Sequence, residues 1–304
     1  MQKYRIAFVG TGMIGGGLAV NAMLAGQSVI LYDVAPVETV KANIKKILDI
    51  MVEAGATDAD AAEMALSQAE FTNDLAEAAK NADFVQECIP ERTELKKTTY
   101  RTIQEVAGVH AVIASSTSTF FPTQLQEGAI YPDRILVGHP YNPSYLLPLM
   151  EICGGEETSE EAKEIAKDVY TAMKKVPIIC KKESNGFIVN RVSWAARDMA
   201  QKIVVDEGVC SVEDMDKAII FGPGMRMAVT GQLLTMSLGV DGGYREYEKK
   251  YAGATEASEP FLKLAEGVDE YLEHRTSEEG NTVEDVIKYR DKMFVTILKA
   301  HGLI

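Results

Sequence analysis

The sequence holds four histidines, His110, His139, His274 and His301, and only His139 sits in a setting suited to chemistry. It lies in Gly138-His139-Pro140-Tyr141-Asn142-Pro143, directly after the short apolar run Ile135 to Val137. Glu151 comes twelve positions later, within the apolar run Leu149 to Cys153. A carboxylate beside an imidazole fixes its tautomer and stabilises its protonated form, which is what a general base near neutral pH needs. Position alone weighs equally for a histidine that merely satisfies a loop. Two polar segments accompany the pair. Ser115-Ser116-Thr117-Ser118-Thr119 follows the apolar run ending at Ala114, so its hydroxyls either face a crevice or cap the next helix. Asn190, in Asn185-Gly186-Phe187-Ile188-Val189-Asn190-Arg191, falls one turn into a mostly apolar helical pattern, where Asn is intrinsically unfavourable and a polar task is credible.

Gly10-Thr11-Gly12-Met13-Ile14-Gly15 fits G-x-G-x-x-G. Its context strengthens it: the apolar run Ile6 to Val9 precedes it, a helical pattern from Met13 follows, and Asp33 ends the next apolar run. Gly10 permits a tight turn, Gly12 lets a pyrophosphate approach the backbone, and Gly15 lets helix and strand pack closely. The pyrophosphate then lies at a helix N-terminus, where free N–H groups favour negative charge. The Asp33 carboxylate would accept hydrogen bonds from ribose hydroxyls and repel a 2′-phosphate. No Arg follows it in Asp33-Val34-Ala35-Pro36, so the expected cofactor is NAD rather than NADP. The alternative is a glycine-rich turn that binds nothing.

These residues need a scaffold. Short apolar runs alternate with helical patterns through the first part of the chain: strands are expected near 6–9, 29–32, 84–85, 111–114, 135–137, 149–153 and 178–180. Helices are expected from Met13, from Val40 to Met51, from Asp58 to Gln68, near Pro90 and from Ser159 to Lys174. The pair spanning about 40–68 reads as a helical hairpin inserted into a βαβ pattern. This is the pattern of an α/β, Rossmann-type, doubly wound and mostly parallel sheet, which places ligands at the carboxyl ends of its strands. From Gly186 strand-like runs vanish. The division expected is 1–184 for a dinucleotide-binding domain and 185–304 for an all-helical domain, interrupted at Pro223-Gly224 and at Gly239 to Gly243. The polar stretch from about Gly253 to Asn281 reads as a less ordered connection before a last helix, Val283 to Ala300.

Composition narrows the function classes. With 304 residues and 46% hydrophobic content the chain can bury a large core. A net charge of -14, with no local basic stripe, argues against a nucleic-acid partner. Apolar runs fall well short of the roughly 18 residues of a membrane span. Cys88, Cys153, Cys180 and Cys210 form no CxxC pair and no metal-ligand spacing with histidine. Reduced thiols in the cytoplasm are the plain expectation, and no secretory signal is apparent.

Together the motifs identify a resemblance, across nearly the whole chain, to the 3-hydroxyacyl-CoA dehydrogenase superfamily. They are Gly10-x-Gly12-x-x-Gly15, Asp33, the Ser/Thr stretch, His139-Pro-Tyr-Asn142-Pro143, Pro148-Leu-Met-Glu151 and Gly186-Phe-Ile-Val-Asn190-Arg191. The likeness is greatest to its free-acid branch, which includes L-carnitine dehydrogenases and the L-gulonate 3-dehydrogenases similar to lambda-crystallin. The resemblance implies that His139 is the general base and Glu151 its partner. It gives Ser118 and Asn190 the substrate oxygen, and Glu91 and Lys96 the nicotinamide end of NAD. It also implies oxidation of a C3 hydroxyl with hydride transfer to NAD, no metal, and a homodimer through the helical domain.

Coenzyme A would ask for basic residues on the helical hairpin, yet 47–79 contains no Lys or Arg. Arg226, in Gly222-Pro223-Gly224-Met225-Arg226-Met227, resembles the free-acid branch, where an Arg can clamp a substrate carboxylate. An ordinary salt bridge is its alternative. Met227 stands where the carnitine enzymes carry Trp, and Gln232 where they carry Pro; Phe121, Tyr141, Tyr145 and Trp194 are the aromatics that could enclose a quaternary ammonium instead. The expected activity is therefore an NAD-dependent dehydrogenase of a short 3-hydroxy acid, L-carnitine dehydrogenase-like. The alternatives are a short-chain 3-hydroxyacyl-CoA dehydrogenase and a non-enzymatic NAD-binding protein, as lens crystallins of similar sequence illustrate.

Overall fold

A computed structural model describes residues 3–304. Its first part is an eight-stranded sheet in the order β3-β2-β1-β4-β5-β6-β7-β8. The strands are β1 (Arg5–Val9), β2 (Ser28–Tyr32), β3 (Glu70–Thr72), β4 (Phe84–Glu87), β5 (Val112–Ser115), β6 (Ile135–Pro140), β7 (Leu149–Gly154) and β8 (Val176–Cys180). Among the described residues only β6 and β7 pair antiparallel. Continuous apolar runs such as Ile6-Ala7-Phe8-Val9 suit a sheet covered on both faces. Ile6 and Phe8 enter one buried cluster, and Ala7 and Val9 enter the other.

The covering helices are α1 (Met13–Leu24), α2 (Val37–Glu53), α3 (Ala59–Gln68), α4 (Leu75–Ala79), α5 (Thr93–Ala107), α6 (Pro122–Gln126) and α7 (Glu160–Ala172). Helices α2 and α3 form the expected hairpin, with the Asp58 side chain capping α3. Strand β3 and helix α4 went unread. Glu70-Phe71-Thr72 is only three residues long and carries no apolar run, and its place beside β2 depends on a long-range pairing. Between β6 and β7 lie only residues 141–148, fewer than the dozen or so a helical crossover needs. The chain therefore turns back as a hairpin, which sets His139 directly opposite Glu151. This loop is anchored twice: the Ser144 hydroxyl donates to the Ile14 carbonyl at 3.1 Å, and the buried Lys175 amine donates to the carbonyls of Ser144 and of Leu147, the latter at 3.0 Å.

The chain parts into two compact units between Ala195 and Ala196, within α8 (Val189–Gln201). The reason is local. Segment 185–195 is helical in texture, but its first residues bond to β7 of the sheet. The second unit is helical: α9 (Val212–Ile219), α10 (Met225–Thr230), α11 (Gln232–Ser237), α12 (Tyr244–Ala252), α13 (Glu259–His274) and α14 (Val283–Ala300). Its core includes Leu234, Tyr244, Ala265, Val268 and Val286. Helix α13 corrects the expectation of a less ordered connection over 253–281. Ser258 stands at its N-cap position, Pro260 lies in its first turn, and Ala265 and Val268 are buried at helical spacing. Acidic residues between these apolar positions hid the period. Between α9 and α10 the helical path breaks at Gly222, beside Pro223. Among the described residues no helix is long and apolar enough to cross a membrane.

One close contact sets the layer beneath His139. Tyr170 of α7 donates its hydroxyl to Gln86 Oε1 at 2.6 Å, and Gln86 Nε2 donates to Ser116 Oγ at 2.8 Å and to the Gly138 carbonyl at 3.2 Å. A Cβ at Gly138 would lie 1.7 Å from the Tyr170 hydroxyl. Gly138→Ala is expected to destabilise the protein by about 1–3 kcal/mol in denaturant unfolding, and Tyr170→Phe should restore part of that loss in the double variant. An unchanged unfolding midpoint for Gly138→Ala would contradict this packing.

Candidate active site

A cavity of about 940 Å³ opens at the carboxyl ends of the central strands. The strand order reverses between β1 and β4, which is the switch point where doubly wound sheets take ligands. All of its lining residues belong to the first unit, Asn190 included.

The glycine loop forms one wall. Gly10 has a φ of +90°, and a Cβ there would meet the Cys88 carbonyl oxygen at 2.7 Å. Gly15 is closed by packing, since its Cβ would lie 2.0 Å from the Gly10 carbonyl oxygen. Gly12 differs: a Cβ there would meet nothing within 4 Å, and the residue borders the cavity at the start of α1. The loop is thus tight behind and open in front, a cradle that fits a pyrophosphate against free helix N–H groups. Ile14 lines the cavity as well, whereas Met13 is exposed and Gly15 lies behind the wall.

Asp33 lines the same cavity and also braces the loop. Its Oδ2 accepts from the Thr11 amide and hydroxyl, both at 2.7 Å, and its Oδ1 accepts from the Ala35 amide at 3.0 Å. Burial alone would raise its pKa, but these hydrogen bonds outweigh it and hold the carboxyl below the usual range. Oδ1 retains acceptor capacity for a ribose hydroxyl.

His139 and Glu151 meet across β6 and β7. The His139 Nδ1 lies 2.8 Å from Glu151 Oε2, with the imidazole nearly buried and the carboxylate fully so. Glu151 Oε1 accepts from the amides of Ile188 and Val189 at 2.8 and 2.9 Å, which are orphan donors at the start of α8. Burial pushes the Glu151 pKa up, but the His139 bond and the two amides more than offset it, so the carboxyl sits below its ordinary value. It therefore stays ionised through mildly acidic pH. The Phe187 ring packs on the imidazole at a centroid distance of 5.3 Å. With Nδ1 committed to Glu151, Nε2 is the nitrogen left for chemistry, and His139 lines the cavity.

The remaining expected residues converge here too. Ser118 and Asn190 line the cavity, and among the described residues neither side chain has a hydrogen-bond partner in the protein. Asn190 is the second residue of α8, not a residue one turn in, because Glu151 starts the helix at Val189. The Ser/Thr stretch is not the cap of α6, whose N-cap position is Phe121. Instead Thr117 Oγ1 donates to Glu91 Oε1 at 2.7 Å, and the Ser118 amide donates to the same oxygen at 3.1 Å. Tyr141 is the one among the proposed cage aromatics that lines the cavity.

Sequence reading missed Glu87. It is wholly buried at the end of β4 and receives Lys96 Nζ at 2.7 Å, the Ile89 amide at 2.7 Å, Ser115 Oγ at 2.8 Å and the Tyr100 hydroxyl. Lys96 Nζ also reaches Glu91 at 3.3 Å, so the lysine joins two carboxylates along the cavity wall. A carboxylate ending an otherwise apolar strand beside the switch point was the available signal. Arg226 belongs to α10 of the second unit. It is exposed, and among the described residues it forms no ion pair.

The NAD-binding domain model of the 3-hydroxyacyl-CoA dehydrogenases matches residues 5–184, and their C-terminal domain model matches 186–280. An L-carnitine dehydrogenase from a Pseudomonas species is 35% identical, covering 97% of this chain and 93% of that one. A solved 5-formyl-3-hydroxy-2-methylpyridine 4-carboxylic acid 5-dehydrogenase, described as an NAD+-dependent dismutase, is 25% identical with a TM-score of 0.71 over 99% of each chain. The 3-hydroxybutyryl-CoA dehydrogenase of Escherichia coli is also 25% identical, with a TM-score of 0.65 over 88% of this chain and 57% of that one. The chain belongs to the 3-hydroxyacyl-CoA dehydrogenase family and is an NAD-dependent dehydrogenase.

Proposed function

We propose that this dehydrogenase, working in the cytoplasm as a homodimer through its helical part, oxidises the 3-hydroxyl of a short, free 3-hydroxy acid of the L-carnitine type to the 3-keto acid. The His139–Glu151 pair carries the reading: a buried imidazole with Nδ1 held at 2.8 Å by an ionised carboxylate, on the wall of a cavity that includes the glycine cradle. His139 Nε2 takes the proton of the substrate hydroxyl, and Glu151 balances the imidazolium that results. Ser118 and Asn190 donate hydrogen bonds to the substrate oxygen as its charge develops. NAD, when bound, supplies the hydride acceptor. The glycine loop holds its pyrophosphate, Asp33 its adenosine ribose, and Glu91 with Lys96 its nicotinamide end. In the reverse direction His139 returns the proton.

Two observations favour a free acid over a thioester. Helices α2 and α3 offer no Lys or Arg over 47–79; of the lysines just before that stretch, Lys45 is paired with Asp49 at 2.7 Å and Lys46 is exposed without an ion pair among the described residues. Arg226 is a guanidinium without a protein partner among the described residues, and it is our choice for the substrate carboxylate. The thioester reading retains support from the name of the Escherichia coli relative.

His139→Ala should lower kcat by about 10²–10⁴-fold while NAD affinity stays nearly unchanged in fluorescence titration. A large loss of NAD binding in a folded variant would refute the assigned role. Asp33→Ala should weaken NAD about tenfold or more and NADP far less, because charge-assisted bonds to the ribose are lost. Equal losses for the two cofactors would mean that Asp33 only braces Thr11. NAD reduction should be assayed with L-carnitine, L-gulonate, 3-hydroxybutyrate and 3-hydroxybutyryl-CoA. Turnover is expected with a free acid, with KM raised by Arg226→Ala; turnover confined to the thioester would overturn the substrate assignment.

A further inference from the structure

A second cavity, of about 390 Å³, lies beside the end of β8 and the start of α8, and Cys180 lines it. Strands β7 and β8 run parallel, and their register sets Cys153 directly against Cys180. Residues opposed in this way point to one face, and both belong to the buried layer that includes Val137 and Phe187. Adjacent strands lie about 4.8 Å apart, inside the roughly 4.4–6.8 Å Cα separation of a disulfide. Both residues are free thiols. Cys153 is fully buried, while Cys180 keeps 7% exposure toward the cavity. Lys181, Lys182 and Arg191 line the same cavity, and none of them forms an ion pair among the described residues.

We propose that Cys153 and Cys180 form an oxidisable dithiol, with a peroxide entering the smaller cavity as the oxidant and Cys180 as the attacking sulfur. The Cys180 sulfur bonds to one peroxide oxygen, the O–O bond breaks, and the departing hydroxide leaves as water with the thiol proton. The Cys153 sulfur then displaces the sulfenic oxygen from Cys180, and its own proton leaves in a second water. Two thiols lose two electrons in total, and one peroxide becomes two waters. An external thiol reverses the bond by exchange. Roles divide by environment. The pairing of the two thiols, then burial, pushes Cys153 up, and the same pairing pulls Cys180 below its ordinary value; the Cys153 sulfur itself donates to the carbonyls of Gly154 and Lys182 at 3.8 Å. The thiolate that attacks is therefore the one facing the cavity. Cys88 is unsuited: burial pushes it up to about 12, and its neighbour is the Ser116 hydroxyl at 3.0 Å.

The full-length protein should be treated with hydrogen peroxide, unfolded, alkylated and digested for mass spectrometry. The expected product is a Cys153–Cys180 cross-linked peptide lacking two hydrogens, absent after dithiothreitol, with Cys88 and Cys210 alkylated. In Cys153→Ser, oxidation should stop at a dimedone-trapped sulfenic acid on Cys180. Full alkylation of all four cysteines after peroxide, or oxidation at Cys88 or Cys210 with the pair still alkylated, would overturn the proposal.

Discussion

One carboxylate ties a wall of the main cavity together. Glu151 divides its two oxygens between the His139 ring and the first amides of α8. Each side needs the other. Without the amides, an ionised carboxylate at this depth would be strongly disfavoured. Without the carboxylate, the imidazole would lose its fixed tautomer and α8 would begin with unsatisfied N–H groups. The helix start is what brings Asn190 to the cavity wall, so His139 and Asn190 share a single electrostatic anchor.

The sheet supplies the rest by topology. Parallel strands meeting at β1 and β4 leave a crevice at their carboxyl ends, and the glycine loop shapes its near side. The antiparallel hairpin of β6 and β7 departs from that pattern. Direct opposition across it places His139 and Glu151, twelve residues apart, within hydrogen-bond distance. Buried Glu87 repeats the strategy on the other side, with Lys96, Tyr100, Ser115 and the Ile89 amide saturating one carboxylate.

Much of this was legible in the residues. The glycine spacing, Asp33 and the strand–helix alternation are local signals, and each depends on neighbours a few positions away. The His139–Glu151 pairing could be suspected because an eight-residue loop leaves little room for anything but a hairpin. What stayed hidden depends on distant partners. Glu87 is silent until β5 and α5 close over it, and β3 exists only because β2 offers an edge. Helix α13 was masked by acidic residues on its exposed face, although Ala265 and Val268 kept the period. Asn190 was placed a turn too deep because the residue that starts its helix is thirty-eight positions upstream of Val189.

The buried lysine that anchors the β6–β7 loop has an energetic corollary. Burial lowers the Lys175 pKa from 10.5 to about 8, so between those values the unfolded chain holds a proton that the folded chain has released. Folding free energy from this group therefore improves as the solution becomes more basic across that interval. Oxidation of an alcohol by NAD liberates a proton and is itself drawn forward by alkalinity. The contribution of this one group to stability thus rises in the same direction of pH that draws such an oxidation forward.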